Sequence, residues 1–223
     1  MTVFLIKIIA CISMFLDHYK YFAGESNFVT QYLGRLAFPL FLFVLVEGYC
    51  HTRNVKKYLI RLGIAALISQ VPYYLFVHDL IGLDGIRINV IATMFVAISC
   101  MLIWDKSFSK IYSVILIFII GMITQMLNFD YGIFGIIIGM IFYIFREKKL
   151  LRGILFVIAT AVYYYLKFFN FSSGYFIYLV CTILVLIPIG LYNGKKGRGL
   201  KYFFYLFYPV HMLFLVILSN LIN

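Results

Sequence analysis

The sequence predicts an all-α fold, a polytopic membrane helix bundle of about nine transmembrane helices. The first observation behind this prediction is composition, since 65% of the 223 residues are hydrophobic and only 12% are charged. Soluble domains are about half apolar and about a quarter charged, so this is the composition of a membrane domain. The second observation is that long apolar runs follow one another with short polar breaks. Helices satisfy every backbone polar group inside such a run, as a bilayer requires.

The apolar runs and their breaks predict nine helices within a single domain, 1–223. The expected spans are 3–22, 33–50, 58–77, 88–104, 111–128, 130–145, 151–169, 172–192 and 202–221. The first run has no basic residues before it, and Lys7 interrupts it, so we expect a retained helix rather than a secretory signal. Nearly the whole chain then lies in the bilayer. Function is therefore expected from polar side chains within the helices and at their ends.

The third observation is that basic residues occupy every second connection between the predicted helices. They lie around connections 2–3 (Arg53, Lys56, Lys57, Arg61), 4–5 (Lys106, Lys110), 6–7 (Arg146, Lys148, Lys149, Arg152) and 8–9 (Lys195, Lys196, Arg198, Lys201). The positive-inside rule places these connections and the N-terminus in the cytoplasm. The net charge of +11 is thus explained by topology in a lipid bilayer, and we expect no nucleic acid partner.

The four cysteines carry no metal or disulfide signal. Cys11, Cys50, Cys100 and Cys181 all fall inside or at the ends of apolar runs, without CxxC spacing. We expect buried free thiols, no metal site and no disulfide.

Asp17 and His18 end the first apolar run and are the first candidates for a functional site. An ionisable residue within a membrane span costs about 2.5–3.5 kcal/mol at a helix centre, so such residues are functional candidates. Adjacent residues point about 100° apart on a helix, so Asp17 is not expected to hold His18 directly. We expect a partner for His18 from another helix. The alternative is that the first helix ends at Leu16 and both residues are interfacial.

The second predicted helix carries two further charges, Arg35 and Glu47. Arg35 opens the helix, and Glu47 lies about 18 Å deeper at 1.5 Å per residue. Pro39 between them removes a backbone hydrogen bond. Arg53 is the expected partner of Glu47, whereas Arg35 has the alternative of extending to the lipid headgroups.

A basic cluster follows the second helix. Arg53, Lys56, Lys57 and Arg61 stand at offsets 0, +3, +4 and +8, which predicts one helical face. Such a face at the inner mouth could hold a phosphorylated cosubstrate. The alternative is topology and contact with anionic lipid.

Three more polar positions complete the candidate set. Asn89 is expected at the outer start of the fourth helix, and Asp130 at an outer turn, where a turn or helix-cap role is the alternative. His211, in the stretch "FYPVHMLFL" with Tyr208, is expected near the membrane midplane, where the alternative is a satisfied core histidine. If all these groups face one cavity, they line a path between the two sides of the membrane. That arrangement suits transport, or transfer between a cytoplasmic donor and an external acceptor.

Six stretches of the chain resemble the TraX family of integral membrane proteins. They are "KIIACISMFLDH" (7–18), "GRLAFPLFLFVLVEGYCHTRN" (34–54), "KKYLIRLGIAALISQVP" (56–72), "INVIATMF" (88–95), "DYGIFGIIIGMIFY" (130–143) and "FYLFYPVHMLFLVIL" (204–218). They occur in the family's order over nearly the entire chain, and the GRLAFPLF and FYPVH blocks are specific. The family's namesake acetylates the N-terminus of conjugative pilin. The family is similar to membrane acyltransferases that use cytoplasmic acyl-CoA.

The resemblance implies an acetyltransferase of the bacterial cytoplasmic membrane, with acetyl-CoA as cosubstrate and a peptide or glycan acceptor. It gives the polar residues roles. His18 is the expected general base, and His211 is the rival base or an acid that helps the thiolate leave. Asp17 or Asp130 orients the base or stabilises its charged form. Arg35 stabilises the oxyanion or binds an anionic acceptor. The expected CoA-binding residues are Arg53, Lys56, Lys57 and Arg61, with Glu47 orienting Arg53, and the expected acceptor-binding residues are Asn89, Asp130 and Tyr208.

Two other classes of function fit the same residues. A small transporter or channel could use the histidines and acidic groups as an ion or proton relay. An inverted repeat or paired broken helices, typical of transporters, are not evident in the sequence. A non-catalytic interaction module would scatter Asp17, His18, Glu47, Arg53 and His211 over separate surfaces, whereas an enzyme would bring them to one cavity.

Overall fold

Helices account for nearly all of the chain in the computed structural model, which describes residues 1–23, 30, 32–169, 173–199 and 201–222. The α-helices are α1 (Val3–Phe22), α2 (Ala37–His51), α3 (Val55–Phe76), α4 (Val90–Lys106), α5 (Lys110–Met126), α6 (Gly132–Ile144), α7 (Lys149–Phe168), α8 (Ser173–Ile183), α9 (Leu186–Gly190) and α10 (Lys201–Ile222). A 3₁₀ turn, Leu33–Leu36, leads into α2, and a π-helical turn, Val77–Ile81, extends α3. The described residues form no strand beyond one isolated bridge, Ile88 to Phe129. The all-α prediction is confirmed.

Among the described residues, four helical segments are long and apolar enough to cross a membrane. They are Leu33–His51, Val55–Ile81, Lys149–Phe168 and Phe203–Leu221. Helix α1 has the length, but it carries Lys7, Asp17 and Lys20. Shorter apolar helices occupy Lys110–Met126, Gly132–Ile144 and Gly174–Gly190. The helices support a membrane protein, while nine crossings stay a prediction.

Two predicted spans differ from the observed helices. The eighth, 172–192, is divided into α8 and α9 by a turn at Leu184 and Val185. The sixth is shorter than expected, since α6 has 13 residues and is about 20 Å long, against about 30 Å for the hydrocarbon core. Helix α6 packs against α2, α4, α5 and α7. A short helix is tolerated there because protein, rather than lipid, surrounds it.

The interior is built around α2 and α6, and the exterior is apolar. Phe43 of α2 and Phe142 of α6 are fully buried and meet edge to face, with ring centroids 5.8 Å apart. Cys11, Cys100 and Cys181 are buried free thiols, whereas Cys50 is half-buried. Helix α5 turns most of its large apolar side chains outward. Such an exterior is expected where the solvent is lipid.

The connections of the bundle lie at two ends. The connections 52–54, 107–109, 145–148 and 191–199 share one end, named here the basic end. There the Val3 amide donates to the Lys195 carbonyl (2.9 Å), and the hydroxyls of Tyr49 and Tyr143 both donate to Asp105. The connections 82–89 and 127–131 share the opposite end, where the Asp130 amide donates to the Ile88 carbonyl (2.9 Å). The basic connections therefore meet as the sequence predicts, and their cytoplasmic side stays a prediction.

Helices α4 and α6 approach closely through small residues at a four-residue spacing. A Cβ atom on Gly135 would lie 2.6 Å from Cγ2 of Thr93, and one on Gly139 would lie 3.2 Å from Cβ of Ala97. Small residues at such spacing allow two backbones to pack tightly inside a membrane. This contact holds the central helix against α4.

We expect Gly135→Ala to lower the stability of the purified protein in detergent, by about 1–3 kcal/mol, because the new methyl group overlaps Thr93. The matched control is Gly153→Ala in α7, whose new Cβ would meet nothing closer than 3.9 Å. That control is expected to be neutral, or to gain up to about 1 kcal/mol from helix propensity. Thermal unfolding measures both. Equal midpoints for the two variants would contradict this packing.

Candidate functional site

Two histidines from opposite ends of the sequence meet inside the bundle. His18 lies on α1 and His211 on α10, and these helices pack together. The Nδ1 atom of His18 is 2.6 Å from the Nε2 atom of His211, and the rings stack with centroids 4.9 Å apart. The expected partner of His18 from another helix is therefore the other histidine.

The backbone of α10 fixes the protons of this pair. The Nδ1 atom of His211 is 2.6 Å from the carbonyl oxygen of Phe207. A carbonyl only accepts hydrogen bonds, so Nδ1 of His211 carries a proton and Nε2 of the neutral ring is an acceptor. His18 then donates from Nδ1. It follows that Nε2 of His18 keeps a free lone pair and has the form of a general base.

Aromatic rings surround the histidine pair. The ring of Phe76 meets His18 edge to face at 4.8 Å, and the ring of Phe207 stacks on His211 at 5.0 Å. The Tyr208 ring lies 6.4 Å from His18 and 6.0 Å from His211. His211 is only 5% exposed. The pair thus lies among aromatic rings, with His211 buried and His18 half-buried.

Asp17 makes no hydrogen bond to either histidine among the described residues, as its angle from His18 on the helix predicts. Its Oδ1 atom accepts hydrogen bonds from Lys20 (2.7 Å) and from Arg35. Asp17 points toward the 3₁₀ turn, where Gly34 permits close approach, since a Cβ there would lie 2.7 Å from Oδ1 of Asp17. The 100° between adjacent helical residues separates Asp17 from the side of α1 that carries His18.

Arg35 belongs to a charged group at the opposite end. Besides its bond to Asp17, its guanidinium lies over the ring of Tyr178 at 5.6 Å. Asp130 and Lys167 are within electrostatic range of Arg35. These charges therefore gather at the opposite end, and Asp17 and Arg35 are within electrostatic range of His18.

Asn89 caps a helix, and Asp130 lies in a turn. Oδ1 of Asn89 accepts from the amides of Ile91 (3.0 Å) and Ala92 (3.2 Å), and its amide nitrogen donates to Gln70 and to the Ala66 carbonyl. Asn89 is therefore the N-cap of α4, 1% exposed, and does not line the cavity described below. Asp130 lies in the turn before α6, whose N-cap is Tyr131. Its carboxylate makes no hydrogen bond to any described residue.

A cavity of about 600 Å³ enters the bundle from the basic end. Its mouth includes residues of the connections 52–54 and 191–199, and its walls are formed mainly by apolar side chains of α2, α3, α4 and α10. The polar side chains at the mouth are Lys7, Glu47, His51, Arg61, Tyr192 and Lys196. A charged mouth and an apolar interior suit an elongated ligand with an anionic head and a thinner tail.

Tyr208 connects this cavity to the histidine pair. It lines the cavity and its ring contacts both histidines, although neither histidine lines the cavity itself. Tyr208 is 4% exposed. Its hydroxyl, near the Val90 amide, completes no hydrogen bond within the described residues. The hydroxyl can therefore donate a hydrogen bond to a group that enters the cavity.

The predicted basic face does not form. Helix α3 begins at Val55 with Asn54 as its N-cap, so Arg53 lies outside the helix. Arg53, Lys56 and Lys57 are exposed and away from the cavity. Arg61 alone of the four lines it, and its buried Nε atom makes no hydrogen bond within the described part of the chain.

Glu47 pairs with a nearer residue than Arg53. Nδ1 of His51, one turn along α2, lies 2.8 Å from the Glu47 backbone carbonyl oxygen and 3.9 Å from Oε2 of Glu47. The expected Glu47–Arg53 pair is absent among the described residues. Helix α2 ends at His51, so the chain has left the helix before Arg53. Glu47 nevertheless lines the cavity mouth, as the sequence predicts for an inner position.

Two cations at the mouth, Lys7 and Lys196, were not predicted as site residues. Lys7 lies over the Phe204 ring at 4.8 Å, and Lys196 follows the connection that pairs with the chain's first residues. A lone lysine inside an otherwise apolar run is a signal that could have identified Lys7. Lys196 carries no such signal, because it is one of four basic residues in its connection.

Comparison with known proteins identifies the family. The family model described as TraX protein matches residues 3–219. A probable fimbrial assembly protein, FimC of serogroup H1 from Dichelobacter nodosus, is 31% identical over 233 residues, covering 95% of this chain and 93% of the relative. No solved structure matches the chain. The chain therefore belongs to the TraX family.

Proposed function

We propose that this protein is a membrane-embedded acetyltransferase that moves an acetyl group from acetyl-CoA, bound from the basic end, to an amine or hydroxyl of an acceptor at the opposite end. One observation carries the proposal. A cavity with a cationic mouth reaches from the basic end to Tyr208, whose ring contacts the histidine pair. A path that leads an anionic cosubstrate to a general base is what this chemistry requires.

The mouth supplies the charges that CoA needs. The CoA phosphates are placed at Lys7, Arg61 and Lys196, where ammonium and guanidinium groups pair with phosphate oxygens. The pantetheine arm follows the apolar interior. Lys7 and His18 are eleven residues apart on α1, about 17 Å along its axis, a length that an extended pantetheine arm can cover. The thioester then lies at Tyr208.

The residues present can carry out direct transfer. The acceptor nitrogen or oxygen attacks the thioester carbonyl carbon, and its proton passes to Nε2 of His18. His211 accepts the Nδ1–H of His18 and keeps the ring in the orientation in which Nε2 is the base, as a third group does in other nucleophile–base systems. The tetrahedral intermediate then breaks the carbon–sulfur bond. The CoA sulfur leaves with the proton that His18 took up.

The Tyr208 hydroxyl is the proposed donor to the developing oxyanion. It is buried and unpaired among the described residues, so it can donate without first losing another hydrogen bond. Preorganised donors in sites that exclude water contribute strongly to acyl transfer. Arg35, the oxyanion residue expected from the sequence, is instead bonded to Asp17. We therefore assign Arg35 to the acceptor side.

The acceptor enters from the opposite end in this proposal. Asp17, Arg35, Asp130 and Lys167 gather there. The relative from Dichelobacter nodosus is named for fimbrial assembly. By extension we propose a peptide acceptor, a subunit of a surface fibre, at the outer face of a bacterial cytoplasmic membrane. A glycan hydroxyl is the second candidate acceptor, because the same chemistry would acetylate it.

His18→Ala is expected to lower the rate of CoA release from acetyl-CoA by about 10²–10⁴-fold, the usual contribution of a general base. His211→Ala is expected to give a smaller loss, because it removes only the group that orients His18. The measurement is free thiol released by the purified full chain in detergent. His78→Ala is the matched control, since His78 pairs with Asp79 at the opposite end.

A wild-type protein that neither binds nor cleaves acetyl-CoA would contradict the proposal. Proton or ion flux in liposomes, lost in His18→Ala without any CoA chemistry, would favour the transporter instead.

Arg61→Gln is expected to weaken acetyl-CoA binding by about tenfold, since charged hydrogen bonds contribute about 1.5–3 kcal/mol, whereas Arg53→Gln is expected to leave it unchanged. Both variants remove one positive charge from the basic end, but only Arg61 lines the cavity. Titration of acetyl-CoA with the detergent-purified variants measures the dissociation constants. Equal losses in the two variants would show that binding depends on net charge rather than on this cavity.

We also propose that the chain crosses the membrane nine times, with the basic end in the cytoplasm. In a Cys50→Ser background, a cysteine replacing Asp84 at the opposite end is expected to react with a membrane-impermeant maleimide on intact cells. A cysteine replacing Glu147 at the basic end is expected to react only after permeabilisation. Both native side chains lie in exposed connections. The reverse pattern would place the cavity mouth outside, away from cytoplasmic CoA.

A further inference from the structure

A groove of about 630 Å³ runs along the outside of the bundle between α3 and α4. Its walls are apolar side chains of the two helices, among them Leu67 and Phe95, and Gly63 leaves a shallow floor. This groove is separate from the cavity, because the side chains that line the cavity from α3 (Tyr58, Arg61 and Leu62) face the interior. The groove lies on the side of α3 that faces away from the interior.

Two lysines stand at one end of the groove. Lys56 is the second residue of α3 and Lys106 is the last residue of α4, and both are exposed and line the groove. Neither forms a salt bridge with any described acidic residue. Because α3 begins and α4 ends at the basic end, the two ammonium groups lie at a similar depth along the axis of the bundle.

The length of the groove corresponds to one leaflet of a bilayer. Leu67 is eleven residues from Lys56, and Phe95 is eleven residues from Lys106. Both distances are about 17 Å along the helix axes, and half of the hydrocarbon core is about 15 Å. The groove thus extends from the headgroup level to the middle of the membrane.

The groove faces the lipid rather than another part of the protein. Ile60 and Ile64 are about half exposed and Leu67 is 77% exposed. At Gly63 a Cβ atom would lie 3.5 Å from the Phe95 ring, so the missing side chain leaves an open strip beside that ring. An acyl chain fits such a strip, since it needs only apolar contact along its length.

We propose that this groove binds an anionic phospholipid of the leaflet at the basic end. Its phosphate lies between Lys56 and Lys106, and one acyl chain follows the groove past Gly63. Charge complementarity selects the occupant, because basic positions at the membrane surface attract anionic headgroups. A zwitterionic lipid is expected to bind less tightly, since the two lysines repel its own ammonium group. The site rests on membrane placement and not on acetyl transfer.

Native mass spectrometry of the full chain, released from mixed micelles of phosphatidylglycerol and phosphatidylcholine, tests the site. We expect one phosphatidylglycerol to be retained in preference to phosphatidylcholine. The double variant Lys56→Gln with Lys106→Gln is expected to lower that retention by about tenfold. The matched control is Lys148→Gln with Lys149→Gln, which removes two exposed charges from another connection of the basic end and is expected to retain the lipid.

A second variant separates shape from charge. Gly63→Leu fills the strip beside Phe95 and leaves both lysines in place, so we expect retention to fall although the net charge is unchanged. Elution as a single monodisperse peak shows that a variant is folded. Equal retention of the two lipids by the wild type, or equal loss in the two double-lysine variants, would overturn the proposal. Retention by Gly63→Leu at the wild-type level would also overturn it.

Discussion

The hydrogen bond between His18 and His211 joins the two ends of the chain, and the arrangement of the site depends on it. An imidazole N–H without an acceptor is costly in an apolar interior, so each ring needs an acceptor for its proton. The Phe207 carbonyl supplies the first acceptor, and the order of protons follows from it. The same contact holds α1 beside α10. Lys7 and Tyr208, one from each helix, thereby come to line one cavity.

A single helix serves two electrostatic environments at neighbouring positions. Asp17 is bound by Arg35 and Lys20, while His18 faces aromatic rings and another histidine. Asp17, Lys20 and Arg35 pair their charges near the end of the bundle, where contact with water lowers the desolvation penalty. Neither histidine is hydrogen-bonded to a carboxylate of the described residues. This separation leaves a neutral lone pair on His18, which a directly bonded carboxylate would convert toward imidazolium.

The sequence predicted the helices well because apolar runs and polar breaks are local signals. Span and charge arguments also placed Glu47 and Arg61 near the inner end of the bundle, where both line the cavity. Contacts between residues that are distant in sequence could not be predicted in this way. Nothing local indicates that His18 meets His211, or that Asp17 turns to Arg35. The role of Asn89 as a cap depends on where α4 begins, and the loss of Arg53 from the basic face depends on where α3 begins. Helix ends are the least certain feature of such a prediction.

The first turns of α3 explain why charge alone was a poor guide to the site. Lys56 and Arg61 are five residues apart, and five steps of 100° leave their side chains about 140° apart around the helix. One cation therefore faces the groove and the other faces the cavity. If both ligands are phosphates, as we propose, the same stretch of α3 holds a lipid headgroup outside and a cosubstrate inside. The anchored outer face then fixes the depth at which the inner mouth meets the membrane surface.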